Sequence, residues 1–184
     1  GKYNDQTGQY RCKDCGKGTY ISVNADSALQ HNKEGSCKVC KPGTYTTRTG
    51  TATCTQCVVG KYMTGEGFAK DRDHYTDCLV CPPGKYSATT GRGTECDLCI
   101  AGMYNTDASQ LDTTHHDEES DCKVCSAGKF SASFGRTTVC DLCIAGSYIS
   151  DDRKNASKHD EATDCIVCGA GKYSTSTGRS TDCD

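Results

Sequence analysis

One pattern, CxxCxxGxY, constrains this chain more than anything else in it. It occurs complete at Cys12/Cys15, Cys37/Cys40, Cys54/Cys57, Cys78/Cys81, Cys96/Cys99, Cys122/Cys125, Cys140/Cys143 and Cys165/Cys168, and Cys183 stands where a further copy opens. In every complete copy a glycine follows the second Cys by three residues: Gly18, Gly43, Gly60, Gly84, Gly102, Gly128, Gly146 and Gly171. An aromatic ring comes two residues later: Tyr20, Tyr45, Tyr62, Tyr86, Tyr104, Phe130, Tyr148 and Tyr173. The glycine marks a backbone reversal with positive φ. The ring beside a sulfur supplies a miniature core, with the apolar residue inside the Cys pair (Val39, Val80, Leu98, Val124, Leu142, Val167) expected to pack on a neighbouring ring.

Nothing else could make a core. Leu, Ile, Val and Phe together supply 21 of 184 residues, which without another source of stability predicts disorder. The 17 cysteines are that source, at the density of a disulfide scaffold from an oxidising compartment. Closing a loop of about 15 residues removes on the order of 3 kcal/mol of unfolded-state entropy in the chain-entropy model, so local staples can stand in for burial.

The spacers between copies alternate between long and short. The repeating unit is therefore a double module, spanning 12–53, 54–95, 96–139 and 140–182, with 1–11 the end of a preceding repeat and 183–184 the start of a next one. Gly1-Lys2-Tyr3 matches Gly171-Lys172-Tyr173, which reads as a window within a longer repetitive protein. The short spacers, with Thr and Tyr on both sides of a glycine, predict two-stranded hairpins. The long ones are polar and acidic, without helical or alternating period, and predict surface loops. The fold class that follows is a tandem array of small disulfide-rich repeats, an extended rod of loops and short β-hairpins with almost no helix and no single hydrophobic core.

The net charge of −3, with both signs interspersed, gives no basic face for nucleic acid or an anionic membrane, and no apolar run is long enough to span a bilayer. No nucleophile with a positioned base and no phosphate loop is present, and no cofactor is implied, so a non-enzymatic protein is expected. Other signals concern binding. His31, His116 and His159 each lie six residues before the next Cys and His74 four before; His116-Asp117 and His159-Asp160 put an acid beside a ring, a candidate surface cation or pH-sensitive contact set against a plain solvated loop. Asn155-Ala156-Ser157 is the single N-glycosylation sequon. Arg92, Arg136 and Arg179 follow the turn glycines, either as stacking cations or as solvated charges.

The tandem CxxCxxGxY module resembles the ephrin-receptor-like cysteine-rich repeats along the whole chain. More distantly, Thr76-Asp77-Cys78, Thr163-Asp164-Cys165 and Thr181-Asp182-Cys183 are similar to the cysteine-rich modules of tumour-necrosis-factor receptors, though without the third Cys of each receptor cluster. The resemblance implies that the second Cys of each copy bonds forward to the first Cys of the next: Cys15–Cys37, Cys40–Cys54, Cys57–Cys78, Cys81–Cys96, Cys99–Cys122, Cys125–Cys140, Cys143–Cys165 and Cys168–Cys183. Cys12 would then pair upstream of Gly1. The residues alone leave two rivals open: first-to-first and second-to-second pairing across each long loop (Cys12 with Cys37, Cys15 with Cys40), and four-cysteine zinc sites on the same sets. The functional expectation is an extracellular or cell-surface structural array, part of a filament, appendage or matrix, assembling with itself and carrying glycans. The alternative is the ligand-binding or stalk ectodomain of a receptor.

Overall fold

The computed structural model describes residues 1–22, 31–109, 112–151 and 155–184. Two compact units make up the chain, Gly1–Val80 with Thr89–Cys96, and Cys81–Ala88 with Asp97–Asp184. Among the described residues there is no α-helix. The regular structure is a series of two-residue antiparallel strand pairs, with short 3₁₀ turns in the long spacers.

The first unit holds Lys2–Tyr3 with Lys13–Asp14, Thr19–Tyr20 with Lys38–Val39, Thr44–Tyr45 with Thr55–Gln56, and Lys61–Tyr62 with Leu79–Val80. The second holds Lys85–Tyr86 with Asp97–Leu98, Met103–Tyr104 with Lys123–Val124, Lys129–Phe130 with Asp141–Leu142, and Ser147–Tyr148 with Ile166–Val167. The placement differs from the sequence-based expectation of hairpins inside the short spacers. The first strand is the segment ending in the ring, and the second is the pair of residues between the cysteines of the next copy. A bond from the second Cys of one copy to the first Cys of the next sets those segments side by side, whatever the spacer length. Long and short spacers therefore close the same hairpin.

Successive repeats are spliced by the backbone, and the residue after the ring does the splicing. Thr46 accepts from Gly18 N–H of the repeat behind at 3.0 Å and donates to the Arg72 carbonyl of the repeat ahead at 3.0 Å. Asn105 stands likewise between Gly84 N–H (2.9 Å) and the Arg136 carbonyl (3.0 Å), and Ser131 between Gly102 N–H (2.8 Å) and the His159 carbonyl (2.8 Å). These residues are buried whatever their polarity, because the ladder needs their backbone and not their side chain. The turn glycine is required for closeness as well as for φ. At Gly84 (φ +74°) a Cβ would lie 2.2 Å from the carbonyl oxygen of Gly135.

Burial is distributed and centred on sulfur. Most of the buried apolar residues are cystines, and they form small separate clusters. In one, Tyr3, Cys15 and Ile21 pack together with Cys37 against them; in another, Cys57, Met63 and Cys78 with Tyr45. A ring thus meets the disulfide of the next repeat. The residues inside the Cys pairs divide: Val80 is buried, whereas Val167 is 76% exposed and Leu98 and Leu142 lie over the turn glycines Gly135 and Gly178. Each hairpin is only two residues wide, so one of its faces has nothing above it but a neighbouring turn.

Candidate functional site

Seven disulfides have defined partners: Cys15–Cys37, Cys40–Cys54, Cys57–Cys78, Cys99–Cys122, Cys125–Cys140, Cys143–Cys165 and Cys168–Cys183. Cys81 and Cys96 are disulfide-bonded as well. Cys12 is exposed and has no disulfide partner among the described residues. With Cys15, Cys37 and Cys40 oxidised, the four-thiolate zinc reading has no ligand set, because zinc binds the thiolate and not the cystine.

Each long spacer reaches back onto the repeat behind it through one side chain, in three of them onto the strand that ends in the ring. His31 Nδ1 donates to the Lys2 carbonyl at 2.8 Å, His116 Nδ1 to that of Lys85 at 2.9 Å, and His159 Nδ1 to that of Lys129 at 2.7 Å. A carbonyl only accepts, so these nitrogens carry the hydrogen. In the remaining long spacer Arg72 stands at the matching position but reaches a different acceptor, donating from Nη1 to the carbonyl of Lys41, just ahead of the strand Thr44–Tyr45, at 3.0 Å and from Nη2 to the Gly65 carbonyl of its own spacer. Arg72, His116 and His159 are buried to within 1%. Arg72 too lies six residues before its Cys, a spacing legible in the sequence once the position is read for a long donor of any type and not for histidine alone.

The acids paired with these rings are not the sequence neighbours. Asp107 Oδ2 stands 3.6 Å from His116 Nε2, and Asp151 Oδ2 3.4 Å from His159 Nε2. Both lie three residues after a ring, as does Gly65, which gives a sequence signal of its own. Neither Nε2 has a hydrogen-bond partner among the described residues. Asp117 instead faces Asp121, whose Oδ2 accepts from the Asp117 and Glu118 N–H groups. Burial first, and the Asp121 charge second, push the Asp117 carboxyl above its ordinary range. Asp160 is half-buried. Among the described residues no three His, Cys, Asp or Glu form a group able to hold a metal ion.

Arg136 and Arg179, each just after its turn glycine, are structural forks. Arg136 grips Asp141 at 2.7 Å with each terminal nitrogen and also donates to the Val139 carbonyl. Arg179 repeats this on Asp184 at 2.9 and 2.6 Å. Arg92 Nε donates to the Glu95 carbonyl at 2.7 Å. Asn155 is exposed, and its Oδ1 accepts from Ser157 N–H and hydroxyl at 3.1 and 2.9 Å, an Asx turn at the start of the 3₁₀ segment Ala156–Lys158.

Fold and site define a class: small disulfide-rich tandem repeats, joined by a backbone ladder and by a side-chain latch in each long spacer, buried in three of the four. No model of a known protein family matches the chain, and no characterised protein is found similar to it. No helix among the described residues is long and apolar enough to cross a membrane.

Proposed function

We propose that the chain is a non-enzymatic extracellular structural protein, a repeat array of the ephrin-receptor-like type serving as a rod-like element of a filament, surface appendage or matrix. One observation carries the reading. The stabilising contacts described above (hairpin, cystine, ladder, latch) are made within a repeat or with its immediate neighbours, so an array can be lengthened without redesigning a core. Its disulfides require an oxidising compartment, which the extracellular space provides. The chain's partner in this reading is a further copy of itself, and the exposed Asn155 is the place for a covalent glycan.

The test is secretion of the 184-residue chain through an oxidising pathway, followed by light scattering and small-angle X-ray scattering over a concentration series. The expected result is a radius of gyration well above the roughly 16 Å of a compact chain of this length, with mass rising with concentration. A compact monomer at every concentration overturns it. The second reading, a receptor ectodomain, is favoured by one feature, an open cleft of about 620 Å³ lined by Tyr45, Thr51, Thr55 and Tyr75.

A further inference from the structure

The four short repeats are not equivalent. Three of them carry an arginine just after the turn glycine (Arg92, Arg136, Arg179) and an aspartate just after the next Cys (Asp97, Asp141, Asp184). In two of these the pair is the fork described above. The repeat spanning 40–56 has Thr51 and Thr55 at those positions, and its turn reaches the next Cys one residue sooner. Thr51 and Thr55 line an open cleft of about 620 Å³, so the missing fork leaves space.

The chemistry of the walls is uniform. The cleft is lined by threonines, by Tyr45, by Tyr75 from the following repeat, by Arg48 and by the single aliphatic Ala52, with no Asp or Glu. Arg48 is exposed and its guanidinium has no ion-pair partner among the described residues. The hydroxyls of Thr53 and Thr55 make no hydrogen bond to the described residues, and that of Thr51 makes only long ones, 3.4 Å to the Thr19 carbonyl and to Thr46. Tyr75 is 56% exposed, and it is held in place by the His74 ring, 4.3 Å away between centroids. His74 is itself fixed at 2.7 Å to Thr76 Oγ1 and caps the turn Tyr75–Asp77.

We infer that this cleft binds a carboxylate-bearing saccharide, such as a hexuronate unit of an acidic glycan. Threonine hydroxyls both donate and accept, which matches sugar hydroxyls in any orientation. An exposed tyrosine face suits the apolar C–H face of a pyranose ring. An unpaired guanidinium in a wall without acids selects a carboxylate, which it can hold through two parallel hydrogen bonds. The walls are too polar and too open to anchor an apolar peptide side chain. Binding at this single place is independent of whether arrays associate with one another.

The experiment is a titration of the ¹⁵N-labelled intact chain, followed by amide shifts, with trigalacturonate, neutral galactotriose, inorganic sulfate and a glutamate-rich peptide as probes. Trigalacturonate should move amides of residues 46–55 and of Tyr75, with a dissociation constant on the order of 1 mM. Arg48→Gln should weaken it by about tenfold or more. The double variant Thr51→Arg/Thr55→Asp brings into the cleft the two charged residues that the other short repeats carry, filling it and adding an acid to its wall, so it should lose binding while its amide spectrum stays that of a folded chain; Tyr75→Ala, at an exposed position, should weaken binding without filling the cleft. Failure of trigalacturonate to move these amides overturns the assignment, as does full binding by the double variant. Equal binding of galactotriose, sulfate reproducing the whole pattern at the same affinity, or tighter binding of the peptide also overturns it.

Discussion

His159 Nδ1 donates to the Lys129 carbonyl at 2.7 Å, a bond across 30 residues from a side chain with no solvent exposure. At the same place the His159 carbonyl accepts from Ser131 N–H at 2.8 Å, so one residue closes a two-bond latch on the repeat behind. His159→Ala opens a cavity and leaves a carbonyl unsatisfied, at a cost of about 2–4 kcal/mol. Hydrogen exchange should show the loss at the Ser131 amide first. Unchanged protection there would mean that the backbone ladder holds the repeats together without the side chain. His31→Ala, at a half-buried site, should cost less, about 1 kcal/mol.

Acid should act on two carboxyls with opposite signs. The hydrogen bonds from Arg136, and then its charge, hold Asp141 below the usual carboxylate range. Its folded form thus binds a proton less readily than the unfolded chain, and the stability it contributes is present above the unfolded value near pH ~4 and lost as pH falls through the lower folded value. Asp117 is shifted upward by burial and by Asp121, so its charge costs stability at neutral pH and protonation relieves that cost. Unfolding midpoints against pH should show a reduced acid-side loss in Asp141→Asn. Asp117→Asn should be more stable than the parent at neutral pH, the difference shrinking as pH falls through the raised value.

Two glycines with the same φ separate strain from contact. Gly8 (φ +76°) has open space where a Cβ would be, whereas at Gly84 (φ +74°) that atom would lie 2.2 Å from the Gly135 carbonyl oxygen. Gly8→Ala should cost about 1 kcal/mol for the left-handed backbone alone. Gly84→Ala must also push a turn away, and should cost roughly 3 kcal/mol or more. Equal denaturation midpoints for the two variants would show that the turn of Gly135 yields freely.

How far the sequence reaches depends on which forces are periodic. The array and its lack of a core are written in the spacing of the cysteines and in the 21 large aliphatic and Phe residues. The strand register is less visible, because Lys38–Val39 and Thr55–Gln56 carry no alternation; they are strands only because a cystine places them opposite Thr19–Tyr20 and Thr44–Tyr45. The latch is half-legible. Histidine at a fixed distance from cysteine shows it, yet at the same distance Arg72 uses a longer side chain on a different carbonyl, and the facing carboxylates Asp107 and Asp151 are eight or nine residues upstream. Conversely Asp117 and Asp160 look like partners because they adjoin histidines, but each His–Asp step is a bend beside a 3₁₀ turn, and Asp117 faces Asp121 instead. The cleft was legible only by comparison between repeats, as the absence of an Arg and an Asp at positions where the others have both.

Stability that comes from local staples should also be lost locally. Cys125–Cys140 closes a sequence separation of 15, and replacing both residues by serine should remove on the order of 3 kcal/mol from that repeat. The Ser131 N–H to His159 bond and the Cys143 N–H to Gly128 bond, at 2.8 and 2.9 Å, lie in or beside the opened loop and should exchange faster in the variant. Protection at Thr46 and Met63, in the other compact unit, should stay at the parent level, since in a repeat array coupling is between nearest neighbours. Hydrogen exchange across the chain reads both at once. A uniform fall in protection would mean that the array unfolds as one cooperative block, and the case for a protein extensible repeat by repeat would then fail with it.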